Sequence, residues 1–267
     1  MTLSTIRNNP AKQKKVKTKK QKAIAATCAV AFWLLVWHVV SLCVGSELVL
    51  VSPVKVVQTL FTVIFDPDFL KTVWYSAARI LGGFFTALTL GTVLGWVASR
   101  FWVVETLLRP ITAVIKATPV ASFIILVLLW FSGKNLSVII SMLMVFPVIY
   151  MNVLEGIRSA DEKLLEMAQV FRLSVGKKLL YIYLPAVAPF FVSACSVSLG
   201  LCWKSGIAAE VIGTPDGSIG AVFYQAKIFL QTSELLAWTV VVVAVSVAFE
   251  KLFLFILKKG FAWMEKR

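Results

Sequence analysis

Residues 136–155 read LSVIISMLMVFPVIYMNVLE, and residues 156–185 continue GIRSADEKLLEMAQVFRLSVGKKLLYIYLP. The first stretch carries no charge before Glu155. About 20 apolar residues in a helix rise about 30 Å, which matches the hydrocarbon core of a bilayer. Residues 136–155 are therefore expected to span a membrane, with Pro147 as a kink. The second stretch is rich in charge and must leave the hydrocarbon, returning to it at Leu184-Pro185.

Working outward, the same reading yields five more spans. The first covers about 23–44, the second about 69–99 and the third about 111–132, where Lys116 and Pro119 suggest that its beginning lies at the interface. The fifth is expected from Pro185 to about Cys202 and the sixth over about 233–250. Ser52-Pro53, Asp66-Pro67-Asp68, Gly133-Lys134-Asn135 and the cluster from Gly213 to Gly217 are turn signals between them. The second span exceeds one bilayer, so its first turns, through Arg79, should project beyond the outer face or run along it. The run from Ala23 to Val44 is longer than the usual core of about 7–15 residues in a cleaved signal, so it is expected to be a permanent span.

Composition agrees with a bilayer. Hydrophobic residues make up 59% of the 267, charged residues 15%, and mean hydropathy is +0.87; soluble domains average about 45–50% and about 25%. The net charge is +14. In a soluble protein that surplus would first suggest nucleic acid, but here it sits in three blocks beside apolar runs, and no nucleic-acid partner is expected. Eight basic residues precede the first span (Arg7, Lys12, Lys14, Lys15, Lys17, Lys19, Lys20, Lys22). Arg158, Lys163, Arg172, Lys177 and Lys178 share the internal polar segment, and Lys251, Lys258, Lys259, Lys266 and Arg267 close the chain. Basic residues collect on the cytoplasmic side. Six spans place both termini there, together with 156–183. The expected organisation is a basic segment 1–22, a transmembrane domain 23–250 and a basic tail 251–267.

The sequence offers no catalytic constellation. His38 is the only histidine, Cys28, Cys43, Cys195 and Cys202 lack metal-ligand spacing and read as packing residues, and no Gly-Lys-Ser/Thr phosphate loop occurs. Neither enzyme chemistry nor a cofactor is expected in this chain. In the second span Gly83, Ala87, Gly91 and Gly95 recur every four residues and form one small face, on which another helix can approach closely.

The segment 156–183 is the most informative. Ser159 and Glu162 have the spacing of a capping box, so a helix is expected to begin there. Leu164, Leu165, Ala168 and Phe171 give it an apolar face, with Glu162, Lys163, Glu166 and Gln169 more exposed. A turn at Gly176 and a second short helix from Lys177 to about Tyr183 should follow. The residues alone leave two readings: a surface for another protein, or a helix lying on lipid headgroups.

Glu166-Met167-Ala168, followed by Ile182, Leu184 and Pro185, resembles the EAA signature of membrane subunits of bacterial ABC importers. That pattern is Glu-Ala-Ala, three residues, Gly, nine residues, then Ile-x-Leu-Pro, and the spacing from Glu166 to Pro185 matches. One departure is Arg172 at the Gly position, which suggests a turn displaced to Gly176. Arg79 to Phe84, Thr118-Pro119, Leu129 to Phe131, Ala209 to Gly213, Gly217 to Gly220 and Phe229 to Thr232 are similar to the branch that imports sulfonates, taurine, nitrate or bicarbonate. The resemblance covers roughly residues 70–250. It implies the type I importer permease fold in the bacterial cytoplasmic membrane, with ATP hydrolysed on a separate ATPase subunit. It also implies an extracytoplasmic solute-binding protein and a second permease copy. In that reading Glu162, Leu165, Glu166, Ala168, Phe171, Arg172, Gly176 and Pro185 belong to the ATPase-coupling segment.

Ionisable residues in or near spans are functional candidates, so Lys204 and Glu210, near the outer end of the fifth span, are candidates for the solute path. Two rivals stand beside the importer. An ion-coupled transporter or channel would want charges deep in the spans or broken helices in related halves, whereas the span centres here are nearly free of charge. A non-transporting membrane scaffold is opposed by the EAA spacing.

Overall fold

The computed structural model describes residues 19–265, and every regular element in it is helical. Most of the basic stretch expected at 1–22 lies outside the described residues. Packing divides the chain into two units, 1–54 and 55–267.

In the first unit, α1 (Lys19–Val44) is the first span. The chain turns at Gly45, whose φ of +65° favours glycine. It folds back so that Trp37 Nε1 donates to Val51 O at 3.1 Å and Ser41 Oγ donates to Leu50 O at 3.2 Å. α2 (Pro53–Ile64), too short to span, starts at the boundary and lies mostly in the second unit.

The second unit is built on three long helices: α3 (Phe69–Arg100), α6 (Gly133–Arg158) and α9 (Leu184–Gly213). Their core gathers Ile80, Phe84 and Ala87 from α3, Val145, Ile149 and Val153 from α6, and Ala194, Leu199 and Trp203 from α9. The small stripe is the reason α3 and α6 can meet. Gly83, Ala87, Gly91 and Gly95 are all buried. A Cβ on Gly83 would collide with Val138 O, and one on Gly91 would lie 3.0 Å from Ile149 Cβ. Backbone-to-backbone approach of this kind is how spans associate where lipid supplies no hydrophobic drive.

α4 (Trp102–Ala117) and α5 (Val120–Trp130) replace the single span expected at 111–132. They meet at 109°. Pro119 lacks an N–H and bars helical geometry at the preceding residue, and Thr118 is accordingly extended at φ −81°, ψ 132°. α5 then packs Ile124 and Val127 on Leu136, Ile140 and Ala209.

Two further boundaries differ from the sequence reading. The fifth span does not stop near Cys202 but continues to Gly213, because after Lys204 no proline, and no charge except the buried Glu210, interrupts it. The sixth does not end at 250: α11 (Thr232–Glu265) runs on, with Phe253, Leu254 and Leu257 packed against the central core while Lys251, Lys258 and Lys259 stay exposed. Charge ends an apolar window there without ending the helix. The turn cluster at Gly213–Gly217 is present, with Thr214 at φ 40° and Gly217 at φ 75°. It leads into a helix the sequence reading lacked, α10 (Ile219–Ile228), capped by Ser218, whose Oγ accepts from Ala221 N at 3.0 Å. Among the described residues five helices are long and apolar enough to cross a membrane, and the bent α4–α5 pair makes six.

Candidate functional site

The polar segment between α6 and α9 folds into α7 (Glu162–Val170), α8 (Val175–Lys178) and one π-helical turn, Leu179–Tyr183, that runs directly into α9. The cap of α7 is not Ser159. That residue closes α6, its Oγ donating to Gly156 O at 2.8 Å, and Asp161 caps α7 by accepting from Lys163 N at 2.9 Å. The end of α6 is held by Arg158, which pairs with Glu105 of α4 at 2.5 Å.

The C-terminus of α7 explains the departure at Arg172. Leu173 N donates to Ala168 O at 2.9 Å and Arg172 N to Gln169 O at 3.0 Å, which are the two bonds of a Schellman turn. That turn needs a left-handed residue, and Arg172 supplies it at φ 51°. The turn is therefore at 172, where the EAA pattern has glycine. It is not displaced to Gly176, which is exposed and helical within α8.

α7 has two apolar sides. Ala168 is 0% exposed and packs with Ala160 and Ile182, flanked by Leu165, Leu173 and Tyr183. Its small side chain seats α7 on the π turn, so Ala168 touches no outside surface. Leu164, Met167 (45% exposed), Val170 and Phe171 (71% exposed) face outward instead, joined by Val175 beyond the turn. Glu162 and Glu166 are exposed beside them, as are Arg172 and Pro185, the last lying in the first turn of α9. The sequence reading missed Met167, Val170 and Val175. The signal was available: at about 100° per residue, the apolar positions of α7 cover roughly 220°, too wide an arc for one packed face.

Lys204 and Glu210 separate. Lys204 is exposed on α9, whereas Glu210 is fully buried. Glu210 Oε2 accepts from Ser76 Oγ of α3 at 2.6 Å and from Gly220 N of α10 at 3.3 Å, while Ile219 N donates to Ser76 Oγ at 2.9 Å. The carboxylate thus faces the N-terminus of α10, where a helix favours negative charge, and fastens that helix to α3 and α9. Gly220 is required at this joint, since a Cβ there would collide with Glu210 Cβ.

An all-helical protein with five or six candidate spans and a short helix seated between two of them has the form of a multi-pass membrane subunit. Comparison with known proteins makes this specific. Residues 87–262 match the family of binding-protein-dependent transport system inner membrane components, and the chain belongs to that family; it is an ABC importer permease subunit. It is 29% identical to a Bacillus subtilis permease named for aliphatic sulfonates, SsuC, over 78% of this chain and 76% of that one. It is 26% identical to the taurine transport system permease protein TauC of Escherichia coli, over 86% and 83%. It is also 25% identical to the nitrate import permease protein NrtB of Synechocystis, over 76% of each.

Proposed function

We propose that this permease subunit, paired with a second copy of itself, forms the path by which a small anionic solute of the sulfonate, taurine or nitrate kind enters across a bacterial cytoplasmic membrane. The solute class rests on one observation: relatives named for aliphatic sulfonates, taurine and nitrate match over three quarters or more of this chain. An extracytoplasmic binding protein delivers the solute, and ATP is bound and hydrolysed on a separate subunit. The orientation has both termini and the α7 segment in the cytoplasm, in keeping with the three basic blocks.

In this reading the open side of α7, with Met167, Val170 and Phe171 at its centre and Glu166 at its edge, docks on the ATPase. Closure of two ATPases on ATP pulls the two α7 helices. Each pull passes through the Schellman turn and the π turn into α9 without slack, because Ala168 and Ile182 are packed and the chain is helical from Val175 to Gly213. ATP shifts the inward–outward equilibrium only by the difference in contact energy between the two states. Lys204, exposed on α9, is the cation placed to meet an anionic solute, while Glu210 holds α10 in place on the outer side.

The test is to reconstitute the chain with its ATPase in liposomes and measure hydrolysis with and without binding protein, beside Glu166→Arg. Stimulation by the binding protein that collapses in the variant supports the reading. Hydrolysis that never responds to this chain overturns it.

A further inference from the structure

Two cavities on the α7 side of the bundle adjoin and share four lining residues. The first, about 470 Å³, lies between α3, α6 and the start of α9, among Val93, Val153, Leu184 and Val187. Its walls are apolar apart from Thr92, whose hydroxyl is given to Leu88 O at 2.6 Å, and Tyr183. The second, about 390 Å³, shares Trp96, Ile157, Leu179 and Tyr183 with the first and adds Arg100 and Lys178 at its edge. No acidic residue lines either one. No ion pair among the described residues engages Arg100 or Lys178. Both volumes fall within the range of about 300–1,000 Å³ typical of ligand sites.

The geometry points to a binding site for one anionic phospholipid, with an acyl chain in the apolar cavity and the headgroup phosphate between Arg100 and Lys178. Three observations converge. The apolar cavity offers nothing to a hydrophilic solute. Arg100 ends α3 and Lys178 precedes α9, and headgroups meet a bundle at the ends of its spans. Trp96 and Tyr183 line both cavities, and such aromatic rings belong to the membrane–water boundary. Basic pockets between spans are recognised in this way by anionic headgroups. Because the π turn Leu179–Tyr183 forms one wall, the bound lipid stiffens the joint through which α7 moves α9. Binding itself stands independently of the transport reading; only the effect on coupling rests on it.

The experiment titrates the purified full-length chain with phosphatidylglycerol and phosphatidylcholine by native mass spectrometry, with glycerol phosphate as the soluble headgroup alone. Each cation near an anionic headgroup is worth about fivefold, so the expected preference for phosphatidylglycerol is roughly 25-fold. Arg100→Gln combined with Lys178→Gln should bring that ratio to about one. Val187→Trp, which fills the apolar cavity and leaves the cations alone, should weaken both lipids alike. Melting temperatures without lipid show that each variant is folded, and Arg100→Gln alone, at an exposed position, serves if the double variant is not. Equal binding of the two lipids, a preference that survives loss of both cations, or glycerol phosphate binding as tightly as the lipid would each overturn the proposal. So would an efficient disulfide between the cysteines of Val93→Cys in two copies, which would make this face a protein interface.

Discussion

Replacing Ala168 by leucine tests whether the small residue of the EAA segment acts by seating α7 rather than by touching the ATPase. Ala168 is fully enclosed by Ala160, Ile182, Leu165 and Leu173. An added isopropyl group has no room, and overpacking of this kind costs about 1–3 kcal/mol. α7 has nine residues, fewer than the roughly 12–15 an isolated helix needs, so its position depends on that packing. The cost therefore appears as undocking, with a rise of roughly 5- to 150-fold in the open fraction. Amide hydrogen exchange at Leu173 reports it directly, since that N–H is held by Ala168 O at 2.9 Å. Exchange should accelerate by that factor, and binding-protein-stimulated ATP hydrolysis should fall with it. Met167→Leu, on the open side, should leave exchange within about twofold. Unchanged exchange at Leu173 in Ala168→Leu would refute the seating argument.

Other substitutions probe separate parts of the account. Arg172→Gly should relieve a left-handed penalty of about 1–2 kcal/mol against a chain-entropy cost of about 0.5–1 kcal/mol, slowing exchange at Leu173 slightly while preserving coupling; Arg172→Val should do the reverse. Glu210→Ala strands the Ser76 hydroxyl and the Gly220 N–H, at about 1–3 kcal/mol, and should lower the melting temperature in detergent, whereas Glu210→Gln keeps an acceptor and should cost less. Gly83→Leu, which drives a side chain into the α6 backbone, should abolish the monodisperse protein on size exclusion, while Gly82→Leu, facing open space, should not.

How much of this was legible depends on the range of the interactions. The small stripe on α3 could be read because its four-residue spacing is local, and Pro119 marked the beginning of the third span as irregular, though not as a break between two helices. The 109° angle at that break is set by α5 packing on α6 and α9, which no nearby residue reports. That Glu210 fastens α10 could not be read locally, because Ser76, its main partner, is 134 positions away. Arg172 was misread in favour of Gly176 because glycine is the usual sign of a left-handed turn, while the two Schellman bonds that impose the turn on arginine leave no mark in composition. α10 hid behind Pro215 and Gly217, although Ser218 ahead of an apolar run was a usable cap signal. The length of α11 was missed because lysines interrupt hydropathy without interrupting a helix.

The central claim is that one side of α7 carries the load between ATPase and membrane. The most direct measurement places single cysteines along α7 and its turn, in a chain whose exposed Cys28 and Cys43 are serine, and reads cross-linking to the co-expressed ATPase. Cysteines at 167, 171 and 175 should cross-link, and those at 165 and 168 should not. Absence of cross-linking throughout, or cross-linking at 165 and 168 as strong as at 167 and 171, would contradict the account.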